Sequence, residues 1–196
     1  PQHTLNFLAH IYLSGDSLKI QIGNFIADSI KGKQFENFDD EIQKGIRLHR
    51  AIDAYTDQHP IVQKSTERLK ETQKRYAPVA VDIFYDHFLA KNWENYHQEP
   101  LESFVNNFYE NIQQYHAILP SEVQYMLPYM IRQNWLYNYQ KMNGIERVFE
   151  GMSQRTSFQS NLLNAPQDLQ THYQDFEQDF TLFFPELISL KRKYNF

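Results

Sequence analysis

An all-α fold is predicted by three features of this 196-residue chain. Apolar residues recur three and four apart, strict apolar-polar alternation is missing, and proline or glycine punctuates the chain where helices would start or stop. Aromatic residues make up 15%, with 15 Phe and 13 Tyr, and large rings let few helices build a thick core. The length suits one domain over 1–196, with site-bearing helices in 5–97 and supporting helices in 100–196.

The first helix is expected over Leu5 to Leu13, LNFLAHIYL, apolar on almost every side except for Asn6 and His10, four residues apart. A helix apolar all round is buried. Ser17 can cap a second helix running to Gly32, in which Asn24 and Asp28 repeat the spacing of four. Asp39 and Asp40 suit the cap and first turn of a third helix, which ends at Pro60. That helix carries His49, Asp53 and Asp57 in one line, because residues four apart stand above one another at about 100° per residue. An imidazole and two carboxylates pointing at one place have the geometry of a metal site. Leu48, Ala51, Ile52 and Tyr55 form the opposite, core-facing side.

From Ile61 to Tyr76 the chain is most basic: Lys64, Arg68, Lys70, Lys74 and Arg75 against Glu67 and Glu71 leave a local charge of +3. Pro78 suits the first turn of the next helix, VAVDIFYDHFLAKNW, where Asp82 and Asp86 share one face amid Val81, Ile83, Phe84, Tyr85 and Phe88. Buried carboxylates need a cation or strong hydrogen bonds to offset their desolvation. Pro100 and Pro120 then open two helices, the second kinked at Pro128, and Gly144 precedes a shorter one. Pro166 begins a final amphipathic run broken by Pro185. His97, His116 and His172 lie in polar surroundings without a partner at ligand spacing, and His59, beside Pro60, reads as a helix-end residue.

Four polar pairs at spacing four therefore fall in the first 90 residues: Asn6 with His10, Asn24 with Asp28, His49 with Asp53, and Asp82 with Asp86. One such pair is an ordinary core network, whereas four rich in imidazole and carboxylate point to a shared metal centre. Nitrogen and oxygen donors without sulfur suit manganese, iron, magnesium or zinc. The absence of cysteine excludes a disulfide framework, a thiolate zinc site and a cysteine nucleophile. A net charge of −5 argues against a general nucleic-acid binder. Without a secretory segment or an apolar run of membrane-spanning length, the expectation is a soluble, cytoplasmic protein that binds no membrane.

NFLAH at 6–10, GNFIAD at 23–28, GIRLHRAIDAYTDQHP at 45–60 and DIFYDHFLAKNW at 82–93 resemble, in the same order, the acyl carrier protein phosphodiesterases, also called holo-ACP hydrolases. That family is similar to the helical HD-type metal-dependent phosphohydrolases, and its members remove 4′-phosphopantetheine from acyl carrier protein. The resemblance implies Asp28, His49, Asp53 and Asp86 as ligands of manganese or magnesium, with His10 and His87 close by. One departure is visible: the adjacent His-Asp pair of HD enzymes is reversed here as Asp86-His87. In this reading His10, His87 or Asp57 handles protons, while Arg50, with Arg47 and Asn24 nearby, binds the phosphate side of the substrate. Lys64, Arg68 and Lys74 would meet the acidic carrier. Two rival readings are a phosphohydrolase of nucleotides or other small phosphoesters and, from another class, a non-catalytic helical binding protein with a buried polar network.

Overall fold

The computed structural model describes residues 6–156 and 158–194; Leu5, the expected first residue of the first helix, lies outside them. In chain order the helices are α1 (Phe7–Leu13), α2 (Leu18–Ile26), α3 (Asp40–Gln58), α4 (Pro60–Arg68), the single turn α5 (Lys70–Gln73), α6 (Ala77–Lys91) and α7 (Leu101–Gln113). There follow α8 (Ser121–Gln133), the single turn α9 (Trp135–Asn138), α10 (Met142–Ser153), α11 (Ala165–Thr171) and α12 (Tyr173–Lys193). Among the described residues every regular element is helical, as expected of an all-α chain.

Local signals account for most of the starts. Ser17 Oγ accepts from the Ile20 amide and Asp39 Oδ1 from the Ile42 amide, so both expected caps form. Pro60 occupies the first turn of α4, and Pro100 and Pro120 stand immediately before α7 and α8. The elements differ from expectation in four places, the simplest being that Gly144, expected before its helix, lies inside α10. Rather than continuing to Gly32, α2 stops at Ile26 and tightens into a 3-10 turn, Ala27–Ser29, that carries Asp28. The helix after Pro120 is divided at Asn134, whose left-handed backbone (φ 50°, ψ 57°) no helix interior accommodates. Conversely, Pro185 does not break α12. It is exposed, so the carbonyl it leaves without a donor faces water, while Phe180, Phe183, Phe184 and Leu187 hold the other face in the core.

The core is built around α6, which is buried on nearly every side. Phe84 meets Phe176 edge-on at 5.0 Å between ring centres, and Tyr85 and Phe88 pack on Phe180, so α12 lies along α6. What positions the site is the crossing of α2 and α3 at Gly23 and Gly45. A Cβ on Gly23 would fall 2.0 Å from the Ile42 carbonyl oxygen, and one on Gly45 would fall 2.2 Å from the Ile20 carbonyl oxygen. Only hydrogen at both positions lets the two backbones touch. The polar residues that follow each glycine, Asn24 and Asp28 on one side and His49 and Asp53 on the other, are thereby brought within hydrogen-bond reach.

Candidate metal centre

The site is assembled from three segments. His49 is buried on α3 and sends both ring nitrogens into polar contacts. Its Nδ1 lies 3.0 Å from Asn24 Oδ1. Asn24 uses its amide nitrogen on the His10 carbonyl and on Ser14 Oγ, both at 2.9 Å, so its oxygen must accept and His49 Nδ1 must donate. That bond fixes the ring and turns Nε2 toward two carboxylates, Asp28 Oδ1 and Asp53 Oδ2, each at 3.0 Å. His10 enters from α1, stacked on His49 with ring centres 4.0 Å apart, and its Nε2 lies 3.2 Å from Asp53 Oδ1.

One donor atom from each of His10, His49 and Asp53 falls within 4.8 Å of the others, so these three residues form a group able to hold a metal ion. Their chemistry fits a divalent cation. A buried histidine whose far nitrogen is tied to an oriented acceptor is the usual outer support of a metal ligand. Negative charge is also in surplus. Asp82 lines the same narrow cleft as His10, Asp53 and Asp86, and burial together with the carboxyls of Asp53, Asp57, Asp86 and Asp28 raises it well above the usual carboxylate range. The proton on His49 is the local counter-charge: burial opposes it, but Asp28 and Asp53 outweigh that effect and push the imidazole up to about 10. Burial likewise opposes the charge on Asp53, yet His10 and His49 hold its carboxyl below the ordinary range. His10 is lowered by burial and by the neighbouring His49.

Of the other expected site residues, Asp86 lines the same cleft with its oxygens already engaged, whereas His87, Arg50 and Arg47 make their contacts elsewhere. Asp86 is buried, but its two oxygens accept from the amides of Leu8 and Ala9 at 3.0 and 2.9 Å, capping α1, which has no cap of its own. It therefore anchors the helix that delivers His10. The reversed doublet is split by α6. His87 points the other way, its ring nitrogens 2.7 Å from the Tyr139 carbonyl and the Tyr173 hydroxyl. Asp57 is exposed one turn beyond Asp53. Arg50 donates to the carbonyls of Ile30 and Gly32, and Arg47 to Gln43 Oε1; both guanidinium groups lie over Phe35. Arg50 thus ties down the loop after Asp28 instead of reaching into the cleft.

The basic segment is corrected in one respect. Arg68 is a structural cation: its Nη1 lies 2.9 Å from Asp179, a carboxylate only 3% exposed that also accepts from Ser65 Oγ, and its guanidinium covers Phe176. Lys64, 69% exposed, lies 3.7 Å from the other oxygen of Asp179, and Lys74 is exposed. Neutralising Arg68 would leave the buried Asp179 with only the exposed Lys64 as counter-charge. His59 behaves as a helix-end residue, its Nδ1 accepting from the Ile61 amide. Asp82 was visible in the sequence only as the partner of Asp86 at spacing four; that it shares the cleft with Asp53 depends on how α6 meets α3.

If Asp86 serves α1, Asp86→Ala is expected to cost about 1–2 kcal/mol of stability by urea denaturation, the value of a lost helix cap, while bound divalent metal is retained. Were Asp86 a direct ligand, its removal would strip metal as completely as removal of His49.

Among the described residues no helix is long and apolar enough to cross a membrane. No solved structure matches the chain. The family described as acyl carrier protein phosphodiesterase matches residues 5–187. A protein named acyl carrier protein phosphodiesterase from Photorhabdus laumondii is 32% identical over 193 residues, covering 98% of each chain. Proteins of the same name from Klebsiella pneumoniae (33% over 187 residues, 95% of this chain and 97% of the relative) and Enterobacter sp. strain 638 (32% over 185 residues, 94% and 96%) are equally similar. With the family match running from residue 5 to residue 187 and relatives of that name covering nearly the whole chain, the chain belongs to the acyl carrier protein phosphodiesterase family.

Proposed function

We propose that this protein hydrolyses the phosphodiester joining 4′-phosphopantetheine to a serine of acyl carrier protein, releasing the arm and leaving the apo-carrier, with a divalent metal at His10, His49 and Asp53. The observation that carries the reading is the convergence of those three donors in a chain of this family. Two imidazoles and a carboxylate make a mixed donor set compatible with manganese or magnesium, and equally with iron or zinc. When bound, such an ion supplies an activated water and polarises the phosphoryl oxygens.

The protein's own groups do the rest. Asn24 holds the His49 ring so that Nε2 faces Asp28 and Asp53, and Asp28, 3.0 Å from that nitrogen, is a fourth donor. With His10 in the donor group and His87 bonded to Tyr139 and Tyr173, Asp82 is the carboxyl in the cleft positioned to protonate the leaving serine oxygen. Arg50 supports phosphate binding indirectly, by holding the Ile30–Gly32 loop that follows Asp28. Lys64 and Lys74, the exposed cations of the basic segment, would meet the acidic carrier.

The test is mass spectrometry of holo-carrier protein incubated with the enzyme and manganese or magnesium. Loss of the whole prosthetic group with a free serine on the carrier is expected, and chelator should abolish it. An intact holo-carrier beside rapid turnover of a nucleotide would replace this reading with the small-phosphoester one.

A further inference from the structure

A second cavity opens directly beside the candidate metal centre. It lies between α1, the turn that carries Asp28, and the first half of α8, and its volume is about 450 Å³. Most of its wall area is apolar, from Phe7, Phe25, Val123 and Met126, and polar groups come from Asp28, Ser29, Ser121, Glu122, Tyr125 and Arg155. That size and mixture fall within the roughly 300–1,000 Å³ of sites that take elongated small molecules. Asp28 links the cavity to the centre: the residue lines the cavity, and its Oδ1 stands 3.0 Å from His49 Nε2.

Resting on the phosphodiesterase reading above, we propose that this cavity receives the pantetheine arm. A phosphate at His10, His49 and Asp53 has two ester substituents, the carrier serine and the arm. The cavity beside Asp28 offers the arm what its chemistry needs: apolar walls for the gem-dimethyl group and methylenes, and a small number of donors and acceptors for two amides. Val123 and Met126 on α8 contact the arm, and the exposed guanidinium of Arg155 donates to its carbonyls. This gives the second half of the chain a role in the site, because α8 and Arg155 supply the outer wall.

The experiment combines calorimetry with free 4′-phosphopantetheine and steady-state kinetics on holo-carrier protein, for the wild type, Met126→Trp and Arg155→Gln. Met126→Trp, which fills the cavity, is expected to weaken binding of the free arm about tenfold or more and to raise KM for holo-carrier similarly, with kcat changing far less. Arg155→Gln alters an exposed side chain, so folding is preserved, and a severalfold loss of affinity is expected. Should both variants bind the arm and the carrier as the wild type does, the assignment is overturned even if the enzyme cleaves holo-carrier. If instead the wild type leaves holo-carrier intact but binds the free arm, and Met126→Trp loses that binding, the cavity assignment stands and the activity reading fails.

Discussion

His49→Ala and Asp53→Ala are expected to lose bound divalent metal and to lower phosphodiesterase activity by about 10³-fold or more, since both the activated water and the counter-charge to the phosphate depend on these donors. Helical content should survive, because neither side chain contributes to the apolar core. Metal bound only by the folded state raises stability by mass action, so chelator should lower the melting temperature of the wild type and leave that of Asp53→Ala almost unchanged. The two melting temperatures with and without chelator decide the matter; equal responses would remove the metal centre. The pH dependence has a definite sign. In the metal-free protein His49 is raised from 6.5 to about 10, so it binds its proton more tightly folded than unfolded. That contribution is complete below about pH 6.5 and is lost as pH rises toward 10. Metal-free wild type should therefore lose stability across this alkaline window, and His49→Ala should lose less.

The other large effect concerns a residue with no functional group. Gly45→Ala should destabilise the protein by about 3 kcal/mol, because the new Cβ would meet a backbone oxygen of α2 that no rotamer change can move aside. Alanine gains about 1 kcal/mol of helix propensity over glycine, so a net loss means that the clash wins over the propensity. The same separation of α2 from α3 would part Asn24 and Asp28 from His49, and activity should fall with stability. A Gly45→Ala variant with the wild-type urea midpoint would show that the helices do not need this contact.

Much of this was legible in one dimension. The apolar periodicity and the Ser17, Asp39 and Pro60 signals placed most of the helix starts, because capping and proline sterics act within a few residues. The spacing of four placed His10, Asn24, Asp28, His49 and Asp53 on polar lines, and these residues do converge. Spacing could not say which line meets which, since it describes the face of a helix and not its neighbour. Asp86 shares its line with Asp82, yet the approach of α1 gave its oxygens two amides to bind. His87, one residue on, was turned about 100° away toward Tyr139 and Tyr173 by the helical twist. Arg50 and Arg68 found partners, the Ile30 and Gly32 carbonyls and Asp179, that lie 18 or more residues distant in sequence. The sequence by itself determined the helices, the donor chemistry and the family; tertiary structure alone decided which donors share a centre, because the crossing at Gly23 and Gly45 and the docking of α1 on Asp86 are contacts between segments that no local periodicity encodes.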